Sequence, residues 1–182
     1  SLNKDQQKKL VKSYHYETPA NRLVSPDVNP RYISNYGYPV QSESFARGGI
    51  GLYSTPEDYL SFANMLHTGL SKKGERIISF DMLELATQNQ ISQSFLPFEI
   101  KNFDITQLDE NVFESYGWGY GFRVNMKNNK FDNVGEFGWG GAASTYFIVD
   151  RKNSISAVLM TQVFQGDLSL QKDFYNYIYS QI

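Results

Sequence analysis

Tyr146-Phe147-Ile148-Val149-Asp150-Arg151-Lys152-Asn153-Ser154-Ile155-Ser156-Ala157-Val158-Leu159-Met160 holds two apolar runs, Tyr146 to Val149 and Ser156 to Met160, flanking the polar turn Asp150-Arg151-Lys152-Asn153. β-branched and aromatic residues suit a pleated, half-buried surface, and the turn is too short for the crossover that parallel strands need. The stretch therefore predicts an antiparallel hairpin. Upstream, Tyr116, Trp118, Tyr120, Phe122 and Val124 alternate with Gly117, Gly119, Gly121 and Arg123. A period of two predicts a strand with one aromatic face and one nearly bare face, the bare face inviting close approach by a helix or another backbone. Asn128-Asn129-Lys130 reads as a turn into a further strand over about 133–138, so three or four antiparallel strands are expected.

Around this sheet the sequence places helices. Thr55-Pro56-Glu57-Asp58 combines an N-cap threonine, proline at the first helical position and acids in the first turn. Tyr59, Phe62, Ala63 and Leu66 follow at helical spacing, and Gly69 stands where a left-handed C-terminal cap belongs, which predicts a helix over about 56–68. A second helix is expected after Ser79, with Met82, Leu83, Leu85 and Ala86 as its buried stripe, ending near Gln90. The last residues, with Leu170, Phe174, Tyr177 and Ile178 on one face, read as a closing amphipathic helix. Residues 1–47 carry Pro19, Pro26, Pro30 and Pro39 without sustained periodicity and read as an irregular segment packing on the unit formed by 48–182. Helices and strands segregate along the chain, which makes the fold class α+β.

Composition sets limits on function. The 182 residues are 41% hydrophobic, and the 14 Gly raise the apolar share to about half, an ordinary globular value. Lys and Arg total 17 against 19 Asp and Glu, without long runs of either sign, so no nucleic-acid partner is expected. The absence of Cys excludes thiolate chemistry within these residues, and the two histidines, His15 and His67, leave a multi-His metal site dependent on carboxylates. No metal and no cofactor are expected. No apolar run approaches the roughly 20 residues that span a bilayer.

Several constellations read as structural rather than chemical. Gly48-Gly49-Ile50-Gly51 lacks the spacing of a phosphate loop. His67 falls near a helix C-terminus, where the dipole favours an imidazolium, and His15 has no carboxylate at ligand spacing. Asp104, Asp109, Glu110 and Glu114 read as a solvated acidic surface rather than a glycosidase pair. Ser1-Leu2-Asn3-Lys4 fits S-x-x-K, but at a terminus nothing holds that geometry. The segment Gly135 to Tyr146 is different, because glycines and small residues in a strand leave main-chain N–H and C=O groups accessible to a substrate or an oxyanion.

Gly48-Gly49-Ile50-Gly51-Leu52-Tyr53-Ser54-Thr55, the helix containing Asp58, Tyr116 to Phe122, Gly138-Trp139-Gly140-Gly141, Tyr146 to Asp150 and Val158-Leu159-Met160-Thr161-Gln162 occur in the order seen in class C β-lactamase-related serine hydrolases, which the chain resembles from about residue 45 to its end. The resemblance implies a partial β-lactamase/transpeptidase-like fold, an antiparallel sheet with covering helices, acting through an acyl-enzyme on an ester, amide or β-lactam. It also implies a periplasmic or extracytoplasmic setting. In that family the nucleophile is the serine of S-x-x-K, assisted by a Y-x-N tyrosine, and both motifs normally precede the region matched here. No catalytic residue is assigned within these 182 residues, and the chain is expected to need the remaining N-terminal part of the domain.

The family's K-[ST]-G strand aligns with Trp139-Gly140-Gly141, where an indole replaces the ammonium group. Family members of the esterase type share this variant, so the resemblance leans towards ester hydrolysis. It assigns Trp139, Gly140, Gly141 and Ala142 to the oxyanion and substrate wall, with the Ala142 N–H as one oxyanion donor. Two alternatives stay open: a non-catalytic binding module on the same scaffold, and a carbohydrate-binding domain, which predicts exposed coplanar aromatics among Trp118, Tyr120 and Trp139. Uncovered strand edges also predict self-association of the chain.

Overall fold

The computed structural model describes residues 2–17, 20–25, 52–95, 116–128, 133–164 and 169–181. The Gly48 to Gly51 turn, the acidic stretch 104–114, Asn129, Lys130 and Ser1 lie outside the described residues. In chain order the elements are α1 (Lys4–Gln7), β1 (Tyr14–Glu17), β2 (Arg22–Val24), α2 (Pro56–Thr68), α3 (Phe80–Ala86), a 3₁₀ turn (Gln93–Phe95), β3 (Tyr116–Trp118), β4 (Arg123–Asn125), β5 (Phe137–Gly141), β6 (Thr145–Asp150), β7 (Ile155–Leu159), β8 (Val163–Phe164) and α4 (Ser169–Tyr179).

The main sheet is a five-stranded meander in the order β3-β4-β5-β6-β7, all neighbours antiparallel. The β6–β7 hairpin closes as expected, with Asp150 opposite Ile155 and Tyr146 opposite Leu159. Alternation along β6 divides its side chains between two layers. Phe147 and Val149 join Phe137, Val124, Ala63, Leu66 and Leu83 in a core against α2 and α3, whereas Ile148 joins Ala157 and Tyr175 in a core against α4. The result is a sheet between helices.

Helix α2 has the predicted bounds, with the Thr55 side chain accepting from the Asp58 N–H, Pro56 in the first turn and Gly69 at φ 74° as the cap. Its Ala63 and Leu66 are buried, and Tyr59 and Phe62 contact Phe147 edge-on or tilted.

Four expectations need correction. Tyr116 to Val124 is not one strand but the hairpin β3–β4, because Gly121 at φ 92° allows the chain to reverse and the Gly119 N–H bonds Phe122 O at 2.8 Å. The bare face does receive close backbone approach: a Cβ at Gly119 would overlap the Ala86 carbonyl oxygen, and the Trp118 N–H bonds Asn89 Oδ1 at 3.0 Å. Helix α3 is shorter than expected and buries Leu83 and Thr87, while Met82 and Leu85 are exposed. The buried side of α4 carries Phe174, Tyr175, Ile178 and Tyr179 and leaves Tyr177 at 67% exposure. Finally, residues 1–47 include the strands β1 and β2, which form a second sheet in the order β2-β1-β8, β8 pairing with β1 in parallel.

Candidate active site

The Trp139 to Ala142 segment occupies the end of β5 and the turn into β6. Strand β4 accompanies β5 only through Phe137 and Gly138, opposite Val124 and Arg123. From Trp139 onward, among the described residues, no strand pairs with the β4-facing edge of β5, while Trp139, Gly140 and Gly141 remain paired with Phe147, Tyr146 and Thr145 on the other side. A strand edge released in this way presents main-chain donors and acceptors outward.

Trp139 is 47% exposed and meets the half-buried Trp118 edge-on, with ring centroids 4.6 Å apart and an interplanar angle of 82°. The coplanar platform expected of a carbohydrate-binding face is therefore not formed by these two indoles. Gly140 is half-buried, and Gly141 and Ala142 are exposed. At Gly138, just before them, a Cβ would overlap the Phe147 carbonyl oxygen, so close packing of β5 on β6 requires glycine there.

Ala142, Ala143 and Ser144 make the three-residue connection between the paired residues Gly141 and Thr145. The Ser144 N–H bonds Gly141 O at 3.0 Å, and Ser144 adopts φ 57°, the left-handed conformation that three-residue hairpins use after a tight turn. The Ala142 N–H takes no part in that closure and has no hydrogen-bond acceptor among the described residues.

Two features near the sheet were not foreseen. On the α4 side, the buried carboxylates of Glu136 and Asp150 both accept from the Tyr179 hydroxyl, at 3.1 Å for Asp150, and Arg123 Nη2 lies 3.5 Å from Glu136 and 2.7 Å from the Tyr175 hydroxyl. Asn153 and Asn133 complete the shell of Asp150 at 2.7 and 3.2 Å. Burial, the Glu136 charge and its hydrogen bond, and the Asp150 charge push the Tyr179 phenol far above its usual range. At the end of the sheet away from Ala142, a cavity of about 420 Å³ is lined by His67, Glu84, Thr87, Gln88, Gly135 and Arg151. Burial, then Arg151, lowers the His67 pKa against the opposing pull of Asp150. Among the described residues no three His, Asp or Glu side chains converge as a metal site.

The family model described as Beta-lactamase matches residues 2–179. The chain belongs to the beta-lactamase family. Simvastatin synthase LovD from Aspergillus terreus, in its LovD6 mutant form, superimposes with a TM-score of 0.72 at 17% identity over 98% of this chain and 44% of that one. Unliganded LovD gives 0.69 at 15% identity, covering 97% and 44%. EstCE1, described as a hydrolase with promiscuous acyltransferase activity, gives 0.55 at 18% identity, covering 87% and 40%. At these identities the likeness is one of fold, and the chain spans less than half the length of these structures. No curated protein matches in sequence.

Proposed function

We propose that this family member supplies the sheet and one wall of the active site of a serine ester hydrolase or acyltransferase, with the Ala142 N–H as an oxyanion donor. The observation that carries the reading is the N–H of the exposed residue Ala142, which has no acceptor among the described residues and is set at the end of the strand edge that β4 releases after Gly138. Donors that are fixed before the reaction and aimed at developing charge supply on the order of 100-fold to 1000-fold in rate each.

The serine nucleophile, its lysine and the assisting tyrosine belong to the N-terminal part of the domain in this reading. The serine oxygen attacks the acyl carbon and its proton passes to the base. The alcohol leaves with a proton, and water or a second alcohol then takes the acyl group. Trp139 supports an ester over a β-lactam, because an indole offers apolar contact where an ammonium would hold a substrate carboxylate.

The test compares this chain with the full-length protein in hydrolysis of p-nitrophenyl acetate and nitrocefin and in labelling by a fluorophosphonate probe. Labelling and ester hydrolysis by the full-length protein, with nitrocefin a poor substrate and this chain silent, are expected. Labelling of this chain alone would place a nucleophile within its residues and overturn the division of roles. Silence of both would favour a non-catalytic binding module.

A further inference from the structure

The turn that carries Ala142 is braced from outside its own hairpin. The Thr161 hydroxyl donates to two adjacent main-chain carbonyls, Ala143 O at 2.5 Å and Ser144 O at 2.9 Å. The Val163 N–H bonds Ala143 O at 3.2 Å, and the Ser144 hydroxyl bonds Val163 O at 2.9 Å. The β8 segment is itself held by β1, through the Tyr14 N–H on Gln162 O at 2.8 Å and the pairing of Tyr14 with Val163.

These contacts bear on the direction of one N–H. A peptide unit is planar and trans, so the Ala142 N–H points opposite to the Gly141 carbonyl. That carbonyl is held by the Ser144 N–H, and Ser144 is kept at φ 57°, a conformation unusual for a residue with a Cβ, by the bonds from Thr161 and to Val163. Without the brace, Ser144 is free to relax to negative φ, the Gly141 carbonyl rotates, and the Ala142 N–H rotates with it.

We propose that Thr161 and Ser144 are positioning residues that aim the Ala142 N–H, with the β1–β8 pairing as their anchor. The inference rests on the serine acyl-transfer reading above, and it names the residues that set the oxyanion geometry within it. Thr161 touches no substrate in this assignment and acts through the Ala143 and Ser144 carbonyls alone.

The experiment uses the full-length protein and its Thr161→Val, Thr161→Ser and Ser144→Gly variants. A misaimed donor loses less than a deleted one, so Thr161→Val is expected to lower kcat for p-nitrophenyl acetate by about 10-fold to 100-fold with KM nearly unchanged. Affinity for a boronic acid transition-state analogue should fall by the same factor. Thr161→Ser, which keeps the hydroxyl, should restore kcat. Ser144→Gly keeps positive φ accessible, and it should lose activity only in part.

A Thr161→Val protein with kcat and boronate affinity within twofold of the parent would overturn the inference while leaving the acyl-transfer reading intact. So would a variant whose thermal midpoint falls while kcat in the folded fraction does not. Failure of the parent protein itself to hydrolyse esters or accept the fluorophosphonate would instead overturn the reading on which the inference stands.

Discussion

Trp139 shows what a single side chain decides here. Its indole is half-exposed, rests edge-on against Trp118 and lies two residues beyond the buried Phe137 on the same face of β5. If it packs against the acyl or alcohol portion of an ester, Trp139→Ala should raise KM for p-nitrophenyl butyrate in the full-length protein about 5-fold to 30-fold with little change in kcat. Such a rise corresponds to about 1–2 kcal/mol of apolar contact. A fall in kcat at constant KM would assign the indole to the transition state instead. Trp139 to Ala142 stand out in the sequence because glycines and an indole break the composition of an ordinary strand. Thr161 was visible only as part of a resemblance, since its partners lie 17 and 18 residues away and no local period links them. His67 was legible as the last-turn histidine of α2 but not in its charge, because Arg151 and the cavity wall reach it from the far end of β6. Its folded pKa is lowered from 6.5, so its neutral form is favoured by folding. The stability linked to it is present above about pH 6.5 and is lost as the pH falls through the folded pKa. NMR titration should place the His67 midpoint below 6.5, and Arg151→Gln should move it upward. A midpoint at or above 6.5 would reverse the sign.

At the scale of elements, what could be read followed local chemistry, and what could not depended on distant partners. Helix α2 matches its expected bounds because Thr55, Pro56 and Gly69 mark both ends within the segment itself. The β3–β4 hairpin was misread because glycine serves two roles in one run. Gly119 admits the Ala86 carbonyl and Gly121 turns the chain, yet both extend an unbroken alternation. Strands β1, β2 and β8 are two to four residues long, too short to show a periodicity; β1 and β2 pair as a local hairpin, and β8 joins β1 from a segment about 150 residues away. The expected face of α4 was likewise displaced, because apolar spacing does not weigh a phenol against buried carboxylates. Tyr175 and Tyr179 are drawn inward to Arg123, Glu136 and Asp150. Removing the Tyr179 hydroxyl leaves two buried acceptors without their shared donor, so Tyr179→Phe should destabilise the fold by about 1–3 kcal/mol in urea titration. The phenol's folded pKa lies above its unfolded value of 10, so its contribution is intact below pH 10 and declines as the pH rises beyond it. The loss caused by Tyr179→Phe should therefore shrink on the alkaline side of pH 10. A loss that stayed constant there would mean that folding does not raise the phenol's pKa.

Across the whole molecule, α+β segregation and family membership were legible, because an ordered series of short motifs is specific even though each motif is weak. The chain covers under half of the similar structures, and this bears on how the surface behaves. The meander has two edge strands, β3 and β7, and β7 carries Ile155, Ala157, Val158 and Leu159 without a strand partner on its outer side among the described residues. Phe80, Met82 and Leu85 on α3 are 58%, 53% and 41% exposed, a grouping of large apolar residues on one short helix. An unpaired apolar strand recruits another strand, and exposed apolar surface recruits cover. If the N-terminal part of the domain normally supplies that cover, the isolated chain should self-associate as concentration rises. Adding the N-terminal part in trans should convert the assemblies into a one-to-one complex. Sedimentation velocity across a concentration series measures both. A clean monomer at high concentration would mean that the edge of β7 and the face of α3 are protected within these 182 residues, and that the sheet is stable without a partner.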